Sequence, residues 1–79
     1  MTQGEPSDVR LDVSGHRCPL PALKARRRLA ELEPNAILHL IATDPMAKID
    51  IPHFCNEQGH DLLATWAEGD QLHFRIRRK

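Results

Sequence analysis

Between Ser14 and Pro21 the side-chain period of the chain changes from that of a strand to that of a helix, and a cysteine sits at the change. Upstream, Val9, Leu11 and Val13 alternate with Arg10, Asp12 and Ser14, the pattern of a half-buried strand. Downstream, at about 100° per residue, Ala22, Ala25, Leu29 and Leu32 fall on one stripe, the expected core face of a helix. Lys24, Arg27 and Leu20 point the other way, and Leu23 lies towards that side. Ser14-Gly15-His16-Arg17 is the turn between the two elements. Pro19 suits the first helical position, where a missing N–H is no loss, which makes Cys18 the expected N-cap. Pro34-Asn35 ends the helix.

The rest of the chain continues the alternation of element types. Ile37-Leu38-His39-Leu40-Ile41-Ala42 reads as a strongly apolar strand, central in its sheet, broken by Asp44-Pro45. A short turn or helical stretch follows, then a helix starting near Asp50 with Pro52 in its first turn and Gly59 as its stop. Leu62 to Ala67 reads as a third strand and Glu68-Gly69-Asp70 as a tight turn. Leu72, Phe74 and Ile76 alternate along a fourth strand. The order β-α-β-α-β-β predicts an α/β fold, a two-layer sandwich with a four-stranded mixed sheet and both helices on one face. A right-handed crossover makes the first two strands parallel, and the hairpin adds an antiparallel pair.

Seventy-nine residues make one modest core. Residues 1–7 read as a short disordered lead, with neither the basic nor the apolar region of a signal peptide, and 8–79 as a single domain. No apolar run approaches the roughly 20 residues that span a bilayer, so the expected location is cytoplasmic. Two cysteines, Cys18 and Cys55, are too few for a disulfide framework, and free thiols are expected. The net charge is zero, which argues against whole-molecule attraction to nucleic acid. The three aromatic residues, Phe54, Trp66 and Phe74, make no stacking platform for single strands. Charge is nonetheless uneven. Residues 17–28 hold Arg17, Lys24, Arg26, Arg27 and Arg28 with no acid among them, and Arg75, Arg77, Arg78 and Lys79 form a second basic cluster.

Cys18 is the candidate reactive group. The thiolate is the nucleophile, and a free cysteine with a pKa of about 8.5 is mostly protonated at neutral pH. A helix start and the neighbouring Arg17 and His16 stabilise the charged form, so a moderately lowered pKa is expected, with the Leu20 N–H as local donor to the sulfur. Pro19 and Pro21 fix the first turn. No Cys-x-x-Cys surrounds Cys18, which disfavours dithiol redox chemistry, and no acid-base constellation is evident. A lone accessible thiol on a small domain suits carrying a group between larger partners; a merely capping or half-buried cysteine is the plainer reading.

Other candidates weigh less. Cys55 reads as a core or half-buried cysteine. His16-x-Cys18 and His53-x-Cys55-x-x-x-x-His60 fit zinc spacings poorly, so neither a metal nor another cofactor is expected. Leu20 and Leu23 with Lys24 and Arg27 resemble a small docking patch for acidic partners, against the plain reading of a solvated helix face. Asp44 is placed to border the sulfur or pair with Arg17, against the plain reading of a turn-forming aspartate.

The residues Leu11-Asp12-x-x-Gly15-x-Arg17-Cys18-Pro19-x-Pro21, followed by the basic helix, resemble the TusA/SirA-like sulfur-carrier family and its Cys-Pro-x-Pro motif. Ala42-Thr43-Asp44-Pro45, Asp50-Ile51-Pro52-x-Phe54-Cys55, Gly59-His60-Asp61-Leu62 and Phe74-Arg75-Ile76-Arg77-Arg78 are similar to further family blocks in the same order, covering residues 9–78. The resemblance implies a persulfide carrier more than an independent catalyst. Cys18 would take a sulfur from a cysteine desulfurase or rhodanese and hand it to a relay or acceptor in tRNA thiolation, molybdenum-cofactor delivery or sulfur metabolism. Arg17, Pro19, Pro21 and Asp44 would support the sulfur, while Leu20, Leu23, Lys24 and Arg27 dock partners. Such a carrier is expected to be monomeric and to form no stable complex with nucleic acid or membrane. The alternatives are a regulatory module that uses the basic helix to bind a protein or nucleic acid, without sulfur chemistry, and a thiol redox sensor.

Overall fold

The alternating and helical stripes resolve into six elements in a computed structural model that describes residues 8–79; the lead expected over 1–7 lies outside the described residues. They are β1 (Val9–Asp12), α1 (Leu20–Ala30), β2 (Ile37–Ala42), α2 (Ala47–Gln58), β3 (Asp61–Glu68) and β4 (Gln71–Arg77). The strands form one mixed sheet in the order β1-β2-β4-β3. β1 and β2 run parallel with Leu11 beside Leu40. β2 is antiparallel to β4, with Leu40 opposite Phe74. β3 and β4 close around a two-residue turn in which Gly69 takes a left-handed φ of 62°.

Both helices cover one face of this sheet, giving the expected two-layer sandwich. Leu38, Leu40 and Ala42 of β2, Phe74 and Ile76 of β4, and Val13 meet Ala25 and Leu29 of α1 and Ala47, Ile51, Phe54 and Cys55 of α2. Burying a side chain such as Leu29 or Ile51 is worth about 1.5–3 kcal/mol, and the layer is continuous from one helix to the other. On the opposite face, Trp66 stacks on His73 with ring centroids 5.0 Å apart, and His39 and His73 are joined by a 2.8 Å hydrogen bond between Nε2 and Nδ1. The Glu68 carboxylate lies 2.9 Å from His73 Nε2 but off its N–H direction, so that buried nitrogen has no aligned partner.

The helix boundaries differ from those expected. α1 begins at Leu20, so Pro19 takes the cap position and Cys18 lies before the helix and does not cap it. The cause is a turn closed ahead of the helix, in which the Leu20 N–H donates to the Arg17 carbonyl at 2.8 Å and not to the sulfur. α1 ends at Ala30, short of Pro34, because the N–H groups of Glu31 and Leu32 fold back onto the carbonyls of Arg28 and Leu29. α2 starts at Ala47, so Pro52 lies inside it and not in its first turn. The Asp44-Pro45 corner itself starts the helix: the Ala47 and Lys48 N–H groups donate to the Asp44 and Pro45 carbonyls, and Asp44 Oδ1 accepts the Met46 N–H at 3.1 Å. Gly59 ends α2 at φ 78°, as its position predicts.

Candidate functional site

Parallel pairing of β1 and β2 brings the loops that follow them side by side. The Gly15 N–H donates to Thr43 Oγ1 at 2.8 Å, which ties the turn after β1 to the end of β2. Next along, the Cys18 N–H donates to Asp44 Oδ2. Asp44 thus anchors the backbone of Cys18 with one oxygen and starts α2 with the other. These two donors, with the charge of Arg17, hold its carboxyl below the usual carboxylate range. It borders the cysteine and forms the turn, so the two readings of this residue describe one arrangement.

The Cys18 thiol is exposed, and its Sγ–H donates to Asp50 Oδ2 on α2. The helices make this contact. α1 and α2 pack side by side, and Asp50 lies one turn before Phe54 on the side of α2 that faces α1. Between them runs an open groove of about 260 Å³ with Cys18, Pro19 and Leu23 on one wall, Asp50, His53, Phe54 and Glu57 on the other, and Arg26 at its edge.

The electrostatics of the thiol run opposite to the sequence expectation. The hydrogen bond to Asp50 raises the Cys18 pKa, partial desolvation adds to this, and the negative charges of Asp50 and Asp44 act in the same direction. The sequence places cations beside the cysteine, whereas the fold places carboxylates there. Cys55, by contrast, is 2% exposed in the core, and burial pushes its thiol up to about 11.

The expected docking residues divide between two surfaces. Leu23 lines the groove beside Cys18, whereas Lys24 and Arg27 line a second depression with Leu11, Arg28 and Glu31. Lys24 Nζ also lies 3.4 Å from His16 Nε2. Leu20 and Leu23 are 44% and 51% exposed, and Met46 and Ile49, at the start of α2, are as open at 46% and 64%. Asp50 and Arg26 share the groove with Cys18, and Thr43 holds the turn that leads to it, without having been singled out as site residues in the sequence. A signal for Asp50 was present in its spacing of four from Phe54. Pro52 obscured it by marking position 50 as a helix start. The second basic cluster is structural: Arg75 binds Asp8 at 2.8 Å, Arg77 binds Asp61, and Arg78 Nε donates to the Leu29 carbonyl at 2.8 Å. Among the described residues, no three histidine, cysteine or acidic side chains converge as metal ligands, and no helix is long and apolar enough to cross a membrane.

This architecture and this chain have relatives. The family model described as Sulfurtransferase TusA matches residues 9–78. The sulfur carrier protein TusA of Allochromatium vinosum is 39% identical over 71 residues, covering 90% of this chain and 93% of that protein. The protein of the same name from Pseudomonas syringae pv. tomato is 40% identical over 72 residues, covering 91% and 86%. Among solved structures, a SirA-like protein from Desulfitobacterium hafniense superposes with a TM-score of 0.78 over 87% of this chain and 95% of its own; at 18% identity it speaks for the fold.

Proposed function

The chain belongs to the TusA sulfurtransferase family, and on that premise we propose that it is a sulfur carrier that holds a sulfane sulfur as a persulfide on Cys18. The observation that carries this reading is the contrast between the two thiols. Cys18 is exposed at the mouth of a groove, and Cys55 is buried with its pKa at about 11. In the loading step the Cys18 thiolate attacks the outer sulfur of a donor persulfide. A bond forms between Sγ and that sulfur as the donor's own S–S bond breaks, and the donor leaves as a thiolate that takes up the proton lost from Cys18. Delivery repeats the step with Cys18 as the leaving group, so no external oxidant or reductant enters.

The donor in this reading is a cysteine desulfurase or a rhodanese. The acceptor is a relay protein or an enzyme of tRNA thiolation, molybdenum-cofactor delivery or sulfur metabolism. Pro19 and Pro21 shape the backbone at Cys18, Asp44 fixes its amide, and Arg17 balances Asp44. Leu20 and Leu23 offer apolar contact to a partner, with Lys24 and Arg27 as flanking charges that steer acidic surfaces. The carrier acts in the cytoplasm as a monomer, with no stable complex with nucleic acid or membrane. Its test is intact-protein mass after incubation with a cysteine desulfurase, the desulfurase's cofactor and cysteine, without reductant. A gain of one sulfur atom that reductant reverses supports the reading. No gain with several unrelated donors would remove it in favour of a regulatory module.

A further inference from the structure

Loading changes what Cys18 can offer to the residue beside it. In the empty carrier Sγ bears a proton and donates it to Asp50 Oδ2. In the loaded carrier the same Sγ is bonded to carbon and to sulfur, has no proton, and can donate nothing. The outer sulfur of a persulfide is also more acidic than a thiol, so loading brings negative charge next to a carboxylate. The other groups around the thiol do not cancel this. Asp44 adds a second negative charge from the β2–α2 corner, and Glu57, His53 and Arg26 line the groove farther along α2 and α1. Arg17 acts on Asp44.

We propose that Asp50 is a positioning residue that biases the carrier towards release: its carboxylate holds the empty thiol by a hydrogen bond that the loaded carrier loses, so sulfur taken up at Cys18 is passed on and not retained. The inference rests on the persulfide reading above and adds a direction to it. The same contact raises the thiol pKa of the empty carrier. It also makes the free protein a sluggish nucleophile towards small electrophiles, since only the thiolate reacts.

The test is a competition between two carriers. Wild-type protein labelled with heavy nitrogen is loaded with sulfur, freed of donor, and mixed with an equal amount of empty, unlabelled Asp50→Asn. The thiolate of the empty protein attacks the outer sulfur of the loaded one. One Sγ–S bond forms, one breaks, and the departing Sγ gains the proton. Intact masses are followed until the same distribution is reached from both starting directions. A unit charge about 4 Å away in water shifts an equilibrium constant about fivefold, so the exchange constant is expected to favour sulfur on Asp50→Asn about fivefold. Asp50→Glu, which keeps the charge, should lie nearer to unity, and the pH profile of Cys18 alkylation should move down in Asp50→Asn. A substitution that only loosened the fold would not move that profile downward. An exchange constant of one, or one favouring wild type, in proteins with unchanged melting overturns the bias while leaving the carrier reading intact. Failure of both proteins to take up sulfur overturns the carrier reading and the bias with it.

Discussion

Arg77 and Arg78 are neighbours in the sequence and should respond very unequally to removal of their charge. Arg78 Nε donates to the Leu29 carbonyl at 2.8 Å in a partly buried position, at the C-terminal end of α1, where a cation also meets the negative end of the helix dipole. Its main chain pairs with Asn35 and Ala36 whatever the side chain is. Methionine keeps most of the apolar stem and removes only the donor and the charge. A hydrogen bond to a charged group is worth about 1.5–3 kcal/mol. Because water still reaches the guanidinium, the low end applies, so Arg78→Met should cost about 1.5 kcal/mol. In a domain of this size that lowers Tm by about 6–12 °C. Arg77 pairs with Asp61 on the surface, the two side chains being 45% and 57% exposed. Such a pair is worth about 0.5 kcal/mol, so Arg77→Met should lower Tm by about 2–4 °C. Calorimetric melts of the two variants, checked for reversibility, decide the matter. Equal shifts, or a larger one for Arg77, would refute the assignment of Arg78 as the clasp on α1 and return the basic cluster to a solvated patch.

Other consequences are open to direct measurement. Burial, together with positive neighbours, holds His39 and His60 below the ordinary histidine pKa of 6.5. The unfolded chain therefore binds more protons near that pH, and stability should fall as pH drops from about 7 to about 5.5; urea midpoints that stay flat over this range would contradict this. Asp12 and Asp44, whose carboxyls lie below the ordinary 3.8, add a second loss only as pH falls below about 4. In alkylation with a small reagent at pH 8, Cys55 should remain unmodified until the protein unfolds, having both a buried sulfur and a pKa of about 11. Early labelling at Cys55, located by peptide mass, would show that the core opens far more readily than its packing implies.

How far the sequence discloses this molecule depends on the range of the interaction. Strands whose apolar residues alternate, Val9-Leu11-Val13 and Leu72-Phe74-Ile76, carry their own face assignment, and Gly59 and Gly69 mark their turns because the backbone there needs a left-handed φ. From those patterns and the order of the elements follow a mixed sheet, parallel β1 and β2 and an antiparallel hairpin, whereas the place of β4 between β2 and β3 comes from the structure. Helix starts are less legible. The prolines at 19 and 52 fit a first turn by local rules, yet the first helix starts after the Arg17–Leu20 turn and the second on the Asp44-Pro45 corner. Cys18 itself is visible from its motif, but its electrostatics are not. Asp44 and Asp50 stand 26 and 32 residues away in the chain, and only the pairing of β1 with β2 and the packing of α1 on α2 bring them to the thiol. Counting nearby charges along the sequence therefore gave the wrong sign for its pKa. The basic residues at positions 75, 77 and 78 likewise look like a free patch until their partners Asp8, Asp61 and the Leu29 carbonyl are seen.

Under the proposed function one of the two thiols, Cys18, holds the sulfur. Wild type, Cys18→Ser and Cys55→Ser would be incubated with a charged cysteine desulfurase, alkylated to trap persulfides, digested, and read peptide by peptide. An added sulfur is expected on the Cys18 peptide in wild type and in Cys55→Ser, and none anywhere in Cys18→Ser. Sulfur on the Cys55 peptide, or undiminished loading of Cys18→Ser, would contradict this.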